Sequence, residues 1–426
     1  MTELHQLSAS VAAKKIQANE LKSEDLIRSC IERIREREPI TQAWVETNFD
    51  AAIERARYLD RSANLGPLHG IPFGAKDLFD THDFPTRLGS TIYENNRPSS
   101  DAVHIALMRQ AGGVLLGKTV TTEFATFKGG KTTNPHNPEY TPGGSSSGSA
   151  AAVADDMIPL ATGSQTAGSV IRPAAFCGVV GYKPTYGKVS LGGVKSLSPS
   201  LDTLGSFSRT VADAALCVAA MSGDHQLATI HKMKHKPRIA TCLTYDGELA
   251  STETITAIHH AALLAEDVFK TQVPAIELPT IFKDMSALQG RIMWSESARS
   301  FSFEQNNHSE QLSQQLKGLI KLGSAITYEQ YSNDLIVAEK ARALIDQLLT
   351  GSWDILIAPS AIGEPTKGLT QTGDPIFCRV WTLMGLPCIT LPLYKGPNHL
   401  PVGVQLVAAR GRDALLLSVA DALMSA

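Results

Sequence analysis

GGSSSGSAAAVADDMIPLATGSQTAGSVIRP, residues Gly143 to Pro173, joins two Gly/Ser clusters through an Ala-rich segment with helical potential. Loops at both ends of a rigid element are where catalytic groups collect, because the scaffold holds them while substrate reaches them. Glycine lets backbone N–H groups turn toward a bound atom, and the serines supply hydroxyls able to act as nucleophile or proton carrier. A plain flexible linker is the competing reading. It is disfavoured because ordered apolar sequence adjoins each cluster, AAAVADDMIPLA after the first and AAFCGVVGYKP after the second.

Two generic motifs overlap this region. Gly144 to Gly148 (GSSSG) satisfies G-x-S-x-G, the strand-to-helix elbow that exposes a nucleophile, here Ser146. The preceding NPHNPEYTPGG is rich in Pro and Asn and reads as loop, so the elbow lacks its strand. Gly112 to Thr119 (GGVLLGKT) satisfies the phosphate-binding P-loop pattern. Its centre, Val114-Leu115-Leu116, is an apolar run after a helical pattern and reads as a buried strand, so a nucleotide-binding P-loop protein is the disfavoured alternative.

A serine hydroxyl is a weak nucleophile until a neighbour takes its proton. None of the 12 histidines lies between Gly143 and Pro173, although His69 and His136 are candidates to approach it in space. A neutral lysine is the alternative, and it needs burial or nearby positive charge to shed its proton. GPLHGIPFGAKDLFDT places Lys76 after an apolar, Gly-punctuated strand, where desolvation would lower its pKa. The competing reading is a surface lysine at a strand end, paired with Asp77, and spacing alone does not decide between them.

The chain resembles the amidase signature hydrolases over nearly its whole length. The matching pieces, in order, are GPLHGIPFGAKD, the GKT-x(3)-EF of Gly117 to Phe124, NPHNP, GGSSSGSAAAVA, GSQTAGSVIRPAAFCGVVGYKPT and SLDTLGSFSRTVADAA. Within that family the length and the tail TGDPIFCRVWTLMGLPCITLPL look most like bacterial malonamidases, which hydrolyse a small amide bearing a carboxylate. The resemblance implies a Ser-cis-Ser-Lys triad, with Ser169 as nucleophile, Ser145 as shuttle after a cis Gly144–Ser145 peptide, and Lys76 as neutral base. It implies an oxyanion hole of backbone N–H groups in Thr166, Ala167, Gly168 and Ser169.

The family's D-T-G-G-S is Q-T-A-G-S here, with Gln165 for Asp and Ala167 for Gly. A left-handed backbone at Ala167 would be strained. The expected substrate-binding set is Arg172, Gly144 and Gln165. For Arg172 two roles stay open, holding a substrate carboxylate in a bidentate pair and tying loops together. A homodimer and a small-molecule amide substrate complete what the resemblance implies, and a glutaminase subunit of a tRNA amidotransferase is the alternative within the family.

The expected architecture is a single α/β/α domain over residues 1–426, a mixed sheet covered by helices on both faces. Its catalytic core spans about 66–223, a helical substrate cover about 252–350, and C-terminal strands about 351–426 complete the sheet. Two amphipathic helices are expected before Pro39, the second with Ser23 as its N-cap. The net charge of −3 offers no footprint for nucleic acid or an anionic membrane. MTELHQLSAS lacks the basic-then-apolar pattern of a signal sequence, so a cytoplasmic location is expected. The six cysteines lack paired spacing and read as reduced core thiols. His231 and His235 have metal-ligand spacing but no third ligand nearby, so no metal and no cofactor is expected.

Overall fold

In the computed structural model, which describes residues 3–233 and 235–426, ten strands form one mixed sheet. They are β1 (Trp44–Thr47), β2 (Pro72–Lys76), β3 (Val114–Thr119), β4 (Leu160–Gln165), β5 (Val180–Lys183), β6 (Thr203–Ser208), β7 (Ile239–Thr241), β8 (Ile355–Pro359), β9 (Cys388–Lys395) and β10 (Pro401–Val407). Their order is β1-β3-β2-β4-β6-β5-β9-β10-β8-β7. β2 runs parallel to β3 and β4, and β7 runs parallel to β8, while the remaining pairs are antiparallel. The central strands are buried on both faces, and in β4 and β6 (LATGSQ and TLGSFS) small residues take much of the place of large apolar ones. β9 and β10 form the expected hairpin. Among the described residues no helix is long and apolar enough to cross a membrane.

The sheet order places the functional groups. β2 and β4 are parallel neighbours, with Phe73 opposite Leu160 and Gly74 opposite Ala161. Parallel neighbours end on the same side of a sheet, so Lys76, the last residue of β2, lies beside the end of β4. The helix Ser147–Ala154 packs over β2, β3 and β4. Gly148 permits this closeness, since a Cβ there would sit 2.2 Å from the Ala43 carbonyl and 2.3 Å from the Val120 nitrogen.

Several boundaries differ from expectation. Helix Ser23–Thr41 runs through Pro39 to Thr41, and Ser23 is its first residue rather than its cap. The Asp60 carboxylate accepts from the Ser23 and Glu24 N–H groups at 2.6 and 3.1 Å, so the cap comes from far along the chain. The Ser23 hydroxyl instead donates to the Gly70 carbonyl at 2.9 Å. Of the expected substrate cover, helix Thr252–Phe269 packs on β7, β8, β9 and β10 and belongs to the sheet layer. Met285–Ser300, Ser302–Asn307, Gln314–Ser324 and Tyr328–Gly351 form a separate cluster, in which Met285–Ser300 packs on Ile376–Leu383. The candidate pair His231 and His235 brackets Lys234, which lies outside the described residues. All six cysteines are free and buried.

The P-loop pattern is strand β3, as its apolar centre indicates. Lys118 is fully buried, with its ammonium 3.2 Å from the Asp77 carboxylate and donating at 2.8 Å to both the Phe79 carbonyl and the Thr86 hydroxyl. No phosphate has a route to that group. Lys118→Met leaves Asp77 buried without its cation, and urea titration should show a loss of about 3–5 kcal/mol of unfolding free energy. ATP should leave the Tm of the wild-type chain unchanged, and an ATP-dependent rise would restore the phosphate-loop reading.

Candidate active site

At the end of β2, Lys76 is fully buried and its Nζ lies 2.7 Å from Ser145 Oγ and 2.8 Å from Ser164 Oγ. Burial pushes the Lys76 ammonium well below its ordinary pKa, and the charge of the buried Asp202 carboxylate only partly opposes this. Asp77, the alternative partner, is committed to Lys118. Burial and contact with two hydroxyls thus bias this amine toward its neutral, basic form.

Ser145 is presented by the turn that opens helix Ser147–Ala154. The Gly144–Ser145 peptide bond is cis, as the resemblance implies. The Ser145 carbonyl accepts from the Thr122 N–H at 3.1 Å, and the Gly148 N–H donates to the Val120 carbonyl at 3.0 Å, so the turn is pinned to the end of β3. Ser146 is buried in the same turn, with its hydroxyl 3.4 Å from the Ser164 carbonyl. No strand precedes this helix directly, and the elbow geometry is absent.

β4 leads into Thr166, Ala167, Gly168 and Ser169, then into the short helix Ile171–Cys177. The backbone N–H groups of these four residues find no acceptor among the described residues. Their carbonyls are gripped from behind: Thr166 by Gln289 Nε2 at 2.9 Å, Ala167 by the Thr382 hydroxyl at 2.8 Å, and Gly168 by the Arg172 N–H at 2.9 Å. Ala167 does not adopt a left-handed backbone, so the strain expected of alanine at this position does not arise. The Ser169 hydroxyl sits at the loop's end, 8% exposed, and no hydrogen bond joins it to Ser145. Catalytic contacts often tighten only when substrate binds.

The sequence profile of the Amidase family matches residues 25–417. The chain belongs to the amidase family. Members are hydrolases of C–N amide bonds. An A subunit of glutamyl-tRNA(Gln) amidotransferase from Endomicrobium trichonymphae is 30% identical over 99% of this chain and 97% of its own length. A solved amidase structure, 28% identical, superposes with a TM-score of 0.88 over 98% of this chain and 99% of that one. The A subunit of the Thermotoga maritima glutamyl-tRNA(Gln) amidotransferase, 27% identical, does so with a TM-score of 0.81 over 99% and 95%.

Within this amidase, Gln165 is not placed for substrate contact. Its Oε1 accepts from the Val170 and Ile171 N–H groups at 2.9 and 3.0 Å, and its Nε2 donates to the Thr382 hydroxyl at 3.0 Å. It braces the start of the helix after the loop, where an acceptor satisfies orphan donors. Gly144 contributes its carbonyl, which accepts from Arg172 Nη2 at 2.7 Å. Arg172 is buried, and its Nε donates to the Thr372 carbonyl at 2.7 Å. Two nitrogens of that guanidinium thus tie loops together, while Nη1 has no partner and lies beside Gly168. Burial brings the Arg172 pKa down to about 10, so it keeps its charge at neutral pH.

Sequence reasoning missed Ser164, Gln289, Thr382 and the role of Asp202. Asp202 stands in the quoted SLDTLG segment, and its carboxylate accepts from the Thr166 hydroxyl at 2.5 Å and the Ser196 hydroxyl at 2.7 Å. His69 and His136 bond to backbone carbonyls, of Leu59 and Cys177, and not to a serine.

Proposed function

We propose that this chain hydrolyses a small carboxamide to a carboxylate and ammonia through an acyl-enzyme on Ser169. The observation that carries this reading is the buried Lys76 in contact with Ser145, beside a loop whose four N–H groups have no acceptor among the described residues. With one N–H of the Lys76 amine given to Ser164, its lone pair faces the Ser145 hydroxyl. Ser145 passes its proton to Lys76 while taking that of Ser169, and Ser169 Oγ attacks the amide carbon. Negative charge grows on the former carbonyl oxygen, where the N–H groups of Thr166 to Ser169 stabilise it without reorganising. The proton returns through Ser145 to the leaving nitrogen, ammonia departs, and water repeats the sequence on the ester.

The free Arg172 Nη1 beside Gly168 favours an amide that also bears a carboxylate, since an unpaired buried guanidinium nitrogen is costly until an anion meets it. Malonamate has this chemistry. So does glutamine, and the curated relatives above are named as amidotransferase subunits, which supports a second reading of the same chemistry: a glutaminase that hands its ammonia to partner subunits. Ammonia release from malonamate, glutamine and neutral amides, with and without amidotransferase partner subunits, separates the two. Turnover of glutamine that rises only with partners supports the second.

Three outcomes are expected. Ser169→Ala loses essentially all turnover and all labelling by a fluorophosphonate probe, whereas Ser146→Ala keeps both; peptide mapping that finds the label on Ser146 would sink the assignment. The rate rises with pH as Lys76 loses its proton at its lowered pKa and stays high in alkaline solution, because only the neutral amine accepts a proton. Lys76→Ala removes that ionisation and most of the rate; an unchanged pH profile points to another base. Finally, Arg172→Ala should slow both substrates, because it frees the Gly144 and Thr372 loops, and should cost malonamate roughly 2–5 kcal/mol more in transition-state stabilisation than a neutral amide of equal size. Equal losses would confine Arg172 to tying loops.

A further inference from the structure

The orientation of the free N–H groups has a physical origin in the carbonyls behind them. A trans peptide unit is planar, with its C=O and the following N–H pointing in opposite directions. Whatever holds a carbonyl from behind therefore aims the next residue's N–H forward. Arg172 N, gripping Gly168, aims the Ser169 N–H, and Thr382, gripping Ala167, aims that of Gly168. The grip on Thr166, which aims the Ala167 N–H, comes from outside this wall: Gln289 stands on helix Met285–Ser300.

The same helix holds the loop a second way. The Thr166 hydroxyl donates to Asp202 Oδ1 at 2.5 Å, and Asp202 Oδ2 accepts from the Leu197 and Ser198 N–H groups at 2.9 and 3.1 Å. Ser198 in turn donates its hydroxyl to Glu296 Oε2 at 2.6 Å, and the Ser200 N–H reaches that oxygen at 3.1 Å. Tyr331 on helix Tyr328–Gly351 fixes the other Glu296 oxygen at 2.7 Å.

Gln289 is a poor choice for stability. It is fully buried, and its Oε1 has no hydrogen-bond partner. Leaving a buried acceptor unsatisfied costs free energy that an apolar side chain of similar size would avoid. We infer that Gln289 is a positioning residue, retained because its Nε2 sets the direction of the Ala167 N–H toward the reacting carbonyl. This rests on the Ser169 hydrolase reading above. It makes the helical cluster part of the apparatus that orients the loop, with Gln289 acting through the Ala167 N–H.

The test uses Gln289→Met, which keeps the volume, with Gln289→Leu as a second variant. Turnover of the best amide, the affinity of an alkylboronic acid that forms a tetrahedral adduct on Ser169, and Tm are measured for each. The expected result is a kcat lower by about 10- to 100-fold, KM within about threefold of wild type, boronate affinity reduced in step with kcat, and a Tm unchanged or raised. A kcat close to wild type, or parallel losses in kcat, KM and Tm, would overturn the inference and leave Gln289 as packing. A wild-type chain that neither releases ammonia from any amide nor binds the boronate removes the hydrolase reading and this one together. An active wild type with unaffected variants removes this one alone.

Discussion

Everything at the site depends on how Lys76 is desolvated. Among the described residues three lysines are fully buried, and in each burial lowers the pKa, yet their surroundings differ. Lys118 has the Asp77 carboxylate and the Phe79 carbonyl, and Lys183 has the Leu386 and Pro184 carbonyls at 2.5 and 3.1 Å. Carbonyls and carboxylates only accept, so they favour the ammonium form. Lys76 bonds to two hydroxyls, which accept or donate with equal ease. Burial without an obligate acceptor sets this amine apart from the other two, and the proposed role of Lys76 as base rests on that difference.

The other half of the site is backbone. Four consecutive N–H groups without acceptors would collapse onto the nearest oxygen if the chain were free to turn, since unpaired buried donors are expensive. Bonds at the rear prevent this. They come from the helices Met285–Ser300 and Ile376–Leu383 and from the first turn after the loop, while Gln165 supports that turn and Thr382 at once. Arg172 then joins this assembly to the Ser145 turn through the Gly144 carbonyl. The sheet thus sets the base, the packed helices set the N–H groups, and one guanidinium keeps the two in register.

Much of this arrangement was legible in the sequence. The apolar run ahead of Lys76 marked β2, the run inside GGVLLGKT marked β3 against the generic motif, and the missing strand before Gly144 disqualified the elbow at Ser146. Those readings hold because they depend on local composition, which burial on both faces of a sheet imposes directly. The same local logic failed where a partner came from elsewhere. Ser23 looks like a helix cap because serine favours that position, but Asp60 caps the helix. Gln165 looked like a substrate contact because it departs from the family pattern, but the helix after it claims its oxygen.

By itself the sequence determined that Lys76 follows an apolar strand, that GGVLLGKT holds another, and from which set of serines a nucleophile must come; it did not decide the burial of the Lys76 amine itself. Only the tertiary structure decided that Ser164 shares the Lys76 amine, that Asp202 holds Thr166, and that Gln289 grips the loop from a helix more than a hundred residues away. The reason is physical. Burial leaves a trace along the chain, because most residues of a packed segment are apolar or small. A single hydrogen bond between distant residues leaves none, because its partner is chosen by strand order and helix packing that no local pattern encodes.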